Sequence, residues 1–137
     1  MGKTLNILLI EDDVIEVMKF SRVINSLAKK HQFVEANNGE EALSILKLQS
    51  VSPDIILLDL NMPKLNGIEF LKILKNDEFL KHIPCVVFTT SSNPNYILEC
   101  FRIGIAGYII KPLKYEEYFV KIQQTLDYWS NNELIYR

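Results

Sequence analysis

The sequence predicts a doubly wound α/β fold, a parallel sheet covered by helices on both faces. Short β-rich runs alternate with helical patterns five times along the chain. Four of the five runs are almost continuously apolar, as strands covered on both sides are. Polar and charged residues follow the C-terminal ends of these runs, which is where open parallel sheets bind ligands.

The first strand is expected over "LNILLI" (5–10). The segment from Val14 to about Ala28 follows it, with Val17, Phe20, Val23, Ile24 and Leu27 at helical spacing. A second strand falls at "QFVEA" (32–36), and Asn38 precedes the helical stretch "NGEEALSILKLQ", in which Ala42, Leu43 and Leu46 mark the apolar face. The third strand, "DIILLD" (54–59), belongs to an apolar run from Ile55 to Leu60 that Asp59 alone interrupts. Met62-Pro63 and Asn66-Gly67 read as turn chemistry, with Gly67 suited to a backbone conformation that other residues resist. The helix in "GIEFLKILKND" then presents Ile68, Leu71 and Leu74. "PCVVFTT" (84–90) is the fourth strand, and "NPNYILECFRIG" begins a helix with Asn93 as cap and Pro94 in its first turn. "GYIIK" (107–111) is the fifth strand. The last helix, at about 114–130, carries Tyr115, Phe119, Ile122, Leu126 and Trp129 on one stripe. No linker, repeat or low-complexity segment intervenes, so residues 1–137 are expected to form a single domain with its core at about 5–130.

Composition excludes several function classes. With 15 basic against 17 acidic residues the net charge is −2, which favours neither nucleic acid nor an anionic membrane as partner. No apolar run reaches the roughly 20 residues of a membrane span, and the N-terminus lacks a cleavage signal, so the cytoplasm is the expected compartment. Cys85 and Cys100 lie in apolar surroundings without metal-ligand spacing and read as free buried thiols. His31 and His82 sit in polar contexts and read as surface residues.

A lone carboxylate at the end of an apolar strand needs compensation. The strand ends collect Glu11, Asp12 and Asp13 after the first, Asp59 after the third, Thr89 and Thr90 at the fourth, and Lys111-Pro112 after the fifth. Carboxylates converging on one sheet edge repel one another unless a cation is shared among them. Mg²⁺ fits such a set, because it prefers oxygen ligands, takes one or two carboxylates with waters and leaves room for a phosphate oxygen. Asp12, Asp59 and a backbone carbonyl just past Asp59 offer those ligands, and Lys111 would neutralise further negative charge. An aspartate kept ionised in this way can attack phosphorus, which makes Asp59 a nucleophile.

These motifs together, "EDD" after the first strand, "LLDLNMPKLNG" around the third, "FTTSS" at the fourth and "GYIIKP" at the fifth, resemble the receiver domains of two-component response regulators. The resemblance spans roughly residues 5 to 130. It implies a flavodoxin-like strand order 2-1-3-4-5 and Mg²⁺-dependent phosphoryl transfer from a histidine kinase's phosphohistidine to Asp59. It further implies that Glu11 and Asp12 are the acidic metal-binding pair, Asp12 as direct ligand and Glu11 through water, and that Asn61 adds its backbone carbonyl. Thr89 matches the hydroxyl that moves toward the phosphate, Lys111 the phosphate-binding lysine and Tyr108 the aromatic that follows the switch. The Lys111–Pro112 bond is implied to be cis, and phosphoryl lifetime is implied to depend on Asn61 and Ser91. Two positions depart from the commonest pattern, Glu11 where Asp is usual and Thr90 where a small residue is frequent.

Some of these residues have plainer readings. Asp12 or Asp13 could simply cap the first helix, Thr89 could be an ordinary strand residue, and Tyr108 could be core packing. A mononucleotide binder of the same fold would need a glycine- or hydroxyl-rich loop where "EDDVIE" stands. An aspartyl phosphohydrolase would carry a second acid two residues past its nucleophile, where this chain has Asn61. A phosphorylation-independent interaction module would have lost site groups that are all present here.

About seven residues follow the last helix, so no output domain is expected, and the signal would pass to a bound partner through helix four, strand five and helix five. That surface would include Ile97, Phe101, Tyr108, Tyr115 and Tyr118. Tyr118, Tyr128 and Tyr136 fall off the apolar stripe of the last helix and suggest a homodimer face. The region "KNDEFLKHIPCVVFTTSS" and the terminal "DYW" resemble stand-alone receivers that partner phytochrome-type kinases. The protein is thus expected to be a phosphoacceptor that catalyses only its own phosphorylation and dephosphorylation.

Overall fold

Five short β-rich runs, four of them almost continuously apolar and each followed by an amphipathic stretch, bury their apolar faces as a parallel sheet between two helical layers. The computed structural model describes residues 2–48, 52–62 and 66–135, so Pro63 and Tyr136 lie outside the described residues. The elements are β1 (Asn6–Ile10), α1 (Val14–Ser26), β2 (Gln32–Ala36), α2 (Gly39–Leu48), β3 (Ile55–Leu58), α3 (Gly67–Asn76), β4 (Cys85–Thr89), α4 (Pro94–Ile103), β5 (Gly107–Ile110) and α5 (Tyr115–Ser130). The sheet runs β2-β1-β3-β4-β5 with every neighbouring pair parallel. This is the expected doubly wound order.

Strand alternation divides the interior into two cores. Ile7, Leu9, Ile55, Leu57, Val86 and Phe88 face α1 and α5, where they meet Phe20, Val23, Tyr118 and Ile122. Leu8, Ile10, Ile56, Leu58, Cys85 and Val87 face the opposite layer and pack on Leu46, Phe70, Leu71, Leu74 and Cys100. Each such buried aliphatic side chain contributes about 2 kcal/mol, so a sheet with apolar residues on both faces is held only when both layers close. β1, β3 and β4 are buried almost throughout, whereas β2 and β5 form the edges. β5 therefore departs from the expectation of two covered faces: as the last strand it has one neighbour, and Ile110 is left exposed.

The turns at the C-terminal edge are pinned by helix caps. Asp13 accepts the Ile15 N–H at 2.9 Å, Asn38 accepts that of Glu41 at 2.8 Å, and Asn93 accepts that of Asn95 at 2.9 Å ahead of Pro94. Asn66 and Glu69 form a reciprocal capping box at α3. Gly67, expected to supply an unusual backbone conformation, instead opens α3 at an ordinary φ. Its glycine is required by proximity: a Cβ there would lie 2.6 Å from Leu60 Cα and 2.8 Å from the Asp59 carbonyl oxygen. The glycine that does need a positive φ is Gly104, at 125°, which ends α4.

Three further expectations are corrected. His31 is buried, because its Nδ1 accepts the Leu5 N–H at 2.9 Å beneath the start of β1; His82 is exposed as expected. Tyr118 is buried at 2% exposure, because α5 turns it under the sheet onto Phe88, so it belongs neither to a surplus aromatic face nor to an exposed signalling surface. The Lys111–Pro112 bond is trans, the form that X-Pro bonds favour by about 0.5–1 kcal/mol. Cys85 and Cys100 are buried free thiols, as expected.

Candidate functional site

The parallel order of β1, β3, β4 and β5 brings four chain segments to one sheet edge. Glu11 follows β1 and its N–H donates to the Ala36 carbonyl at 3.0 Å; Asp59 follows β3 and its N–H donates to the Ile10 carbonyl at 3.0 Å. Ladder bonds thus continue one residue past each strand and fix where both acids emerge. The Lys111 N–H donates to the Thr89 carbonyl at 2.7 Å, which ties the end of β5 to the end of β4.

Glu11, Asp12 and Asp59 each place a carboxylate oxygen within 4.8 Å of the others'. Glu11 and Asp59 are buried while Asp12 is exposed, so the cluster is walled on one side and open on the other. Three anionic oxygens so close, all hard donors, fit a divalent cation and little else. Asn61 is exposed two residues beyond Asp59. A cavity of about 10 Å³, the room of about one water, lies behind Asp59 and is lined by Glu11, Glu16, Lys111 and Tyr118 among others.

Lys111 is 7% exposed in its side chain, and its Nζ pairs with Glu11 Oε1 at 2.5 Å and Glu16 Oε1 at 3.1 Å. Burial opposes its charge, but Glu11, Asp59 and Glu16 together hold its pKa above the ordinary value. Burial likewise raises the Glu11 carboxyl above its usual range, Asp59 adding to the effect and Lys111 opposing it. Among the described residues the ion-pair partners of Lys111 are thus Glu11 and Glu16, with Asp59 acting at longer range. Glu16 was not among the residues that sequence reasoning picked out. The available signal was its position one turn into α1, three residues after the cap Asp13 and on the side facing the sheet edge.

Thr89 is wholly buried at the end of β4, and its Oγ1 accepts the Ser91 N–H at 3.5 Å. Tyr108 is half-buried on β5, and its O–H donates to the Ser91 carbonyl at 2.8 Å. Burial, together with nearby Cys100 and Asp59, raises its pKa against the effect of the Ser91 bond. Ser91 therefore joins the two residues expected to switch: it gives its N–H to one and accepts from the other. Asp13 serves as a cap and Asp12 as a member of the acidic cluster, which separates the two roles that sequence left open.

An acidic cluster beside a buried lysine marks the C-terminal edge of this doubly wound sheet, and comparison with known proteins gives the family. The response regulator receiver domain model matches residues 7–123, and the chain belongs to that family. It is 31% identical over 128 residues to the response regulator Rcp1 of Synechocystis sp., covering 90% of this chain and 87% of Rcp1. Among solved structures it is similar to the phosphorylated cyanobacterial phytochrome response regulator RcpA, at 31% identity with a TM-score of 0.89 over 96% of this chain and 98% of RcpA. The Mn²⁺-bound form of Rcp1 matches at 30% identity with a TM-score of 0.88, over 96% and 99% of the two chains. The protein is a phosphoacceptor receiver of two-component signalling, and the mononucleotide-binding, phosphohydrolase and bare interaction-module readings are not favoured. No described helix is long and apolar enough to cross a membrane.

Proposed function

We propose that Asp59 accepts a phosphoryl group from the phosphohistidine of a sensor histidine kinase, with Mg²⁺ held by Glu11, Asp12, Asp59 and the Asn61 backbone carbonyl. The observation that carries this reading is the approach of three carboxylate oxygens within 4.8 Å beside the buried Lys111 ammonium. Bound there, Mg²⁺ would neutralise charge on the phosphoryl oxygens. The Asp59 carboxylate forms a bond to phosphorus as the phosphorus–nitrogen bond of the donor breaks, leaving the imidazole as the departing group. Lys111 supplies a positive charge for the transferring oxygens from a site that largely excludes water.

Thr89 and Tyr108 carry the switch. Once Asp59 bears the phosphoryl group, the Thr89 hydroxyl turns to it and gives up the Ser91 N–H, whose 3.5 Å separation marks a weak bond. Freed on that side, Ser91 lets the β4–α4 loop and the Tyr108 ring rearrange, and the α4–β5–α5 surface changes. Ile97, Phe101 and Tyr115 remain as apolar side chains of that surface, Phe101 being 51% exposed. The kinase is of phytochrome type by likeness to the phytochrome response regulator RcpA. The protein acts as a cytoplasmic receiver, turns over no outside substrate, and signals to a downstream protein. A homodimer through the exposed Tyr128 end of α5 is its simplest self-association.

Intact-mass measurement tests the assignment. Incubation with acetyl phosphate and Mg²⁺ adds one acid-stable, alkali-labile phosphoryl group to the wild type and none to Asp59→Ala. Equal labelling of Asp59→Ala would defeat it, and turnover of a free phosphate ester would favour a phosphohydrolase.

A further inference from the structure

The ammonium of Lys111 has three N–H donors; one donates to Glu11, and Glu16 lies within ion-pair distance at 3.1 Å. Glu11 belongs to the acidic cluster, so a divalent cation would compete with Lys111 for it; Glu16 does not belong to that cluster. The Glu16 carboxylate is also bridged. Its Oε1 faces Lys111 at 3.1 Å, while its Oε2 takes Lys19 Nζ at 3.1 Å. Lys19 Nζ in turn lies 4.5 Å from the ring centroid of Tyr118 on α5, and that ring is 5.5 Å from Phe88 on β4. Asp59, Lys111, Glu16 and Tyr118 line the same small cavity. Burial works against the charge of Glu16, but Lys111 and Lys19 outweigh it and hold the carboxyl below its ordinary pKa, so the bridge is ionic at neutral pH.

We infer that Glu16 restrains Lys111 in the unphosphorylated protein, competing with the phosphoryl group for its ammonium, and that release of this restraint reaches Tyr118 through Lys19. The inference rests on Asp59 being the phosphoacceptor. A phosphoryl group on Asp59 brings more negative charge to the site than the free carboxylate, so Lys111 turns toward it and the Glu16 Oε1 bond is lost. Glu16 is then held by Lys19 alone, and the cation over Tyr118 shifts with it. Because Tyr118 packs in the core that joins α1, α5 and the sheet, this route reads out on the α1–α5 side. The Thr89–Ser91–Tyr108 route reads out at α4 and β5.

Beryllofluoride with Mg²⁺, a tetrahedral substitute for the phosphoryl group on a carboxylate, is the probe. Glu16→Gln is expected to bind it about three- to tenfold more tightly than wild type, since one competing charge is gone. Glu16→Asp, which keeps the charge, returns the affinity toward the wild-type value. Aromatic NMR resonances of Tyr118 shift on saturation in the wild type and shift less in Lys19→Met, while those of Tyr108 shift equally in both. Glu16 is partly exposed and outside both cores, so these variants fold. Affinity of Glu16→Gln equal to or weaker than wild type would overturn the restraint, and an undiminished Tyr118 shift in Lys19→Met would overturn the relay. Uptake by Asp59→Asn, or none by wild type, would instead overturn the phosphoacceptor reading and this inference with it.

Discussion

Replacing Gly67 by alanine tests how tightly α3 is set against the strand that carries Asp59. The added Cβ would lie 2.6 Å from Leu60 Cα, 2.8 Å from the Asp59 carbonyl oxygen and 3.0 Å from Leu60 Cδ2. Comfortable carbon contacts are about 3.5–4.0 Å, so α3 or the β3 terminus must give by about 1 Å. Two of the three atoms are backbone and cannot rotate away. Overpacking of this kind costs about 1–3 kcal/mol. Alanine recovers about 0.4–1 kcal/mol through a less flexible unfolded chain, leaving a net loss of about 1–2 kcal/mol. At a urea slope of about 1.5 kcal/mol per M, that lowers the unfolding midpoint by about 1 M. Because the displaced backbone includes the carbonyl of Asp59 and its neighbour Leu60, labelling by acetyl phosphate falls about tenfold, a misplacement near 1 Å being worth up to about a hundredfold. Gly104→Ala is the control. Its Cβ meets nothing closer than 3.9 Å, but its φ of 125° strains alanine, so it loses stability without losing labelling. A Gly67→Ala protein with an unchanged midpoint and wild-type labelling would refute the close-approach argument.

Three further outcomes follow from other parts of the molecule. Burial and the nearby Lys29 depress the pKa of His31 below 6.5, against Asp127, so between its folded value and 6.5 the unfolded chain binds more protons. Stability from this group is full above about pH 6.5 and is lost as pH falls, so His31→Gln should show a smaller difference in melting temperature between pH 7.5 and 5 than wild type. Burial pushes the thiol of Cys85 up to about 12 and that of Cys100 up to about 11. Both should therefore resist a disulfide reagent at pH 8 until urea unfolds the chain, and fast labelling of the native protein would contradict their burial. Tyr108→Phe removes the O–H that donates to Ser91 and should lower stability by about 0.5–1.5 kcal/mol in urea titration, with a larger loss pointing to a packing role beyond that bond.

The chain order of apolar runs and caps determined by itself a doubly wound α/β fold with Glu11, Asp12, Asp59 and Lys111 at one sheet edge, and the motifs around those residues carried the resemblance to receivers. Those features are local: a strand covered on both sides must be apolar at consecutive positions, and a helix start must offer a capping oxygen. Asn93-Pro94 and the acids after β1 and β3 were legible for that reason. What depends on two distant segments meeting could not be read in this way. Tyr118 lies only three residues from the stripe member Tyr115, yet the rotation of α5 against Phe88 buried it, and His31 was buried by the N–H of Leu5, 26 positions earlier. Gly67 carries no mark that distinguishes a positive φ from a missing Cβ, and only the placement of Leu60 against it decides. Glu16 is an ordinary first-turn acid until β5 delivers Lys111 to it from 95 residues away (111 − 16). Partners in sequence are set by covalent geometry, but partners in space are set by how two layers of helices close over one sheet.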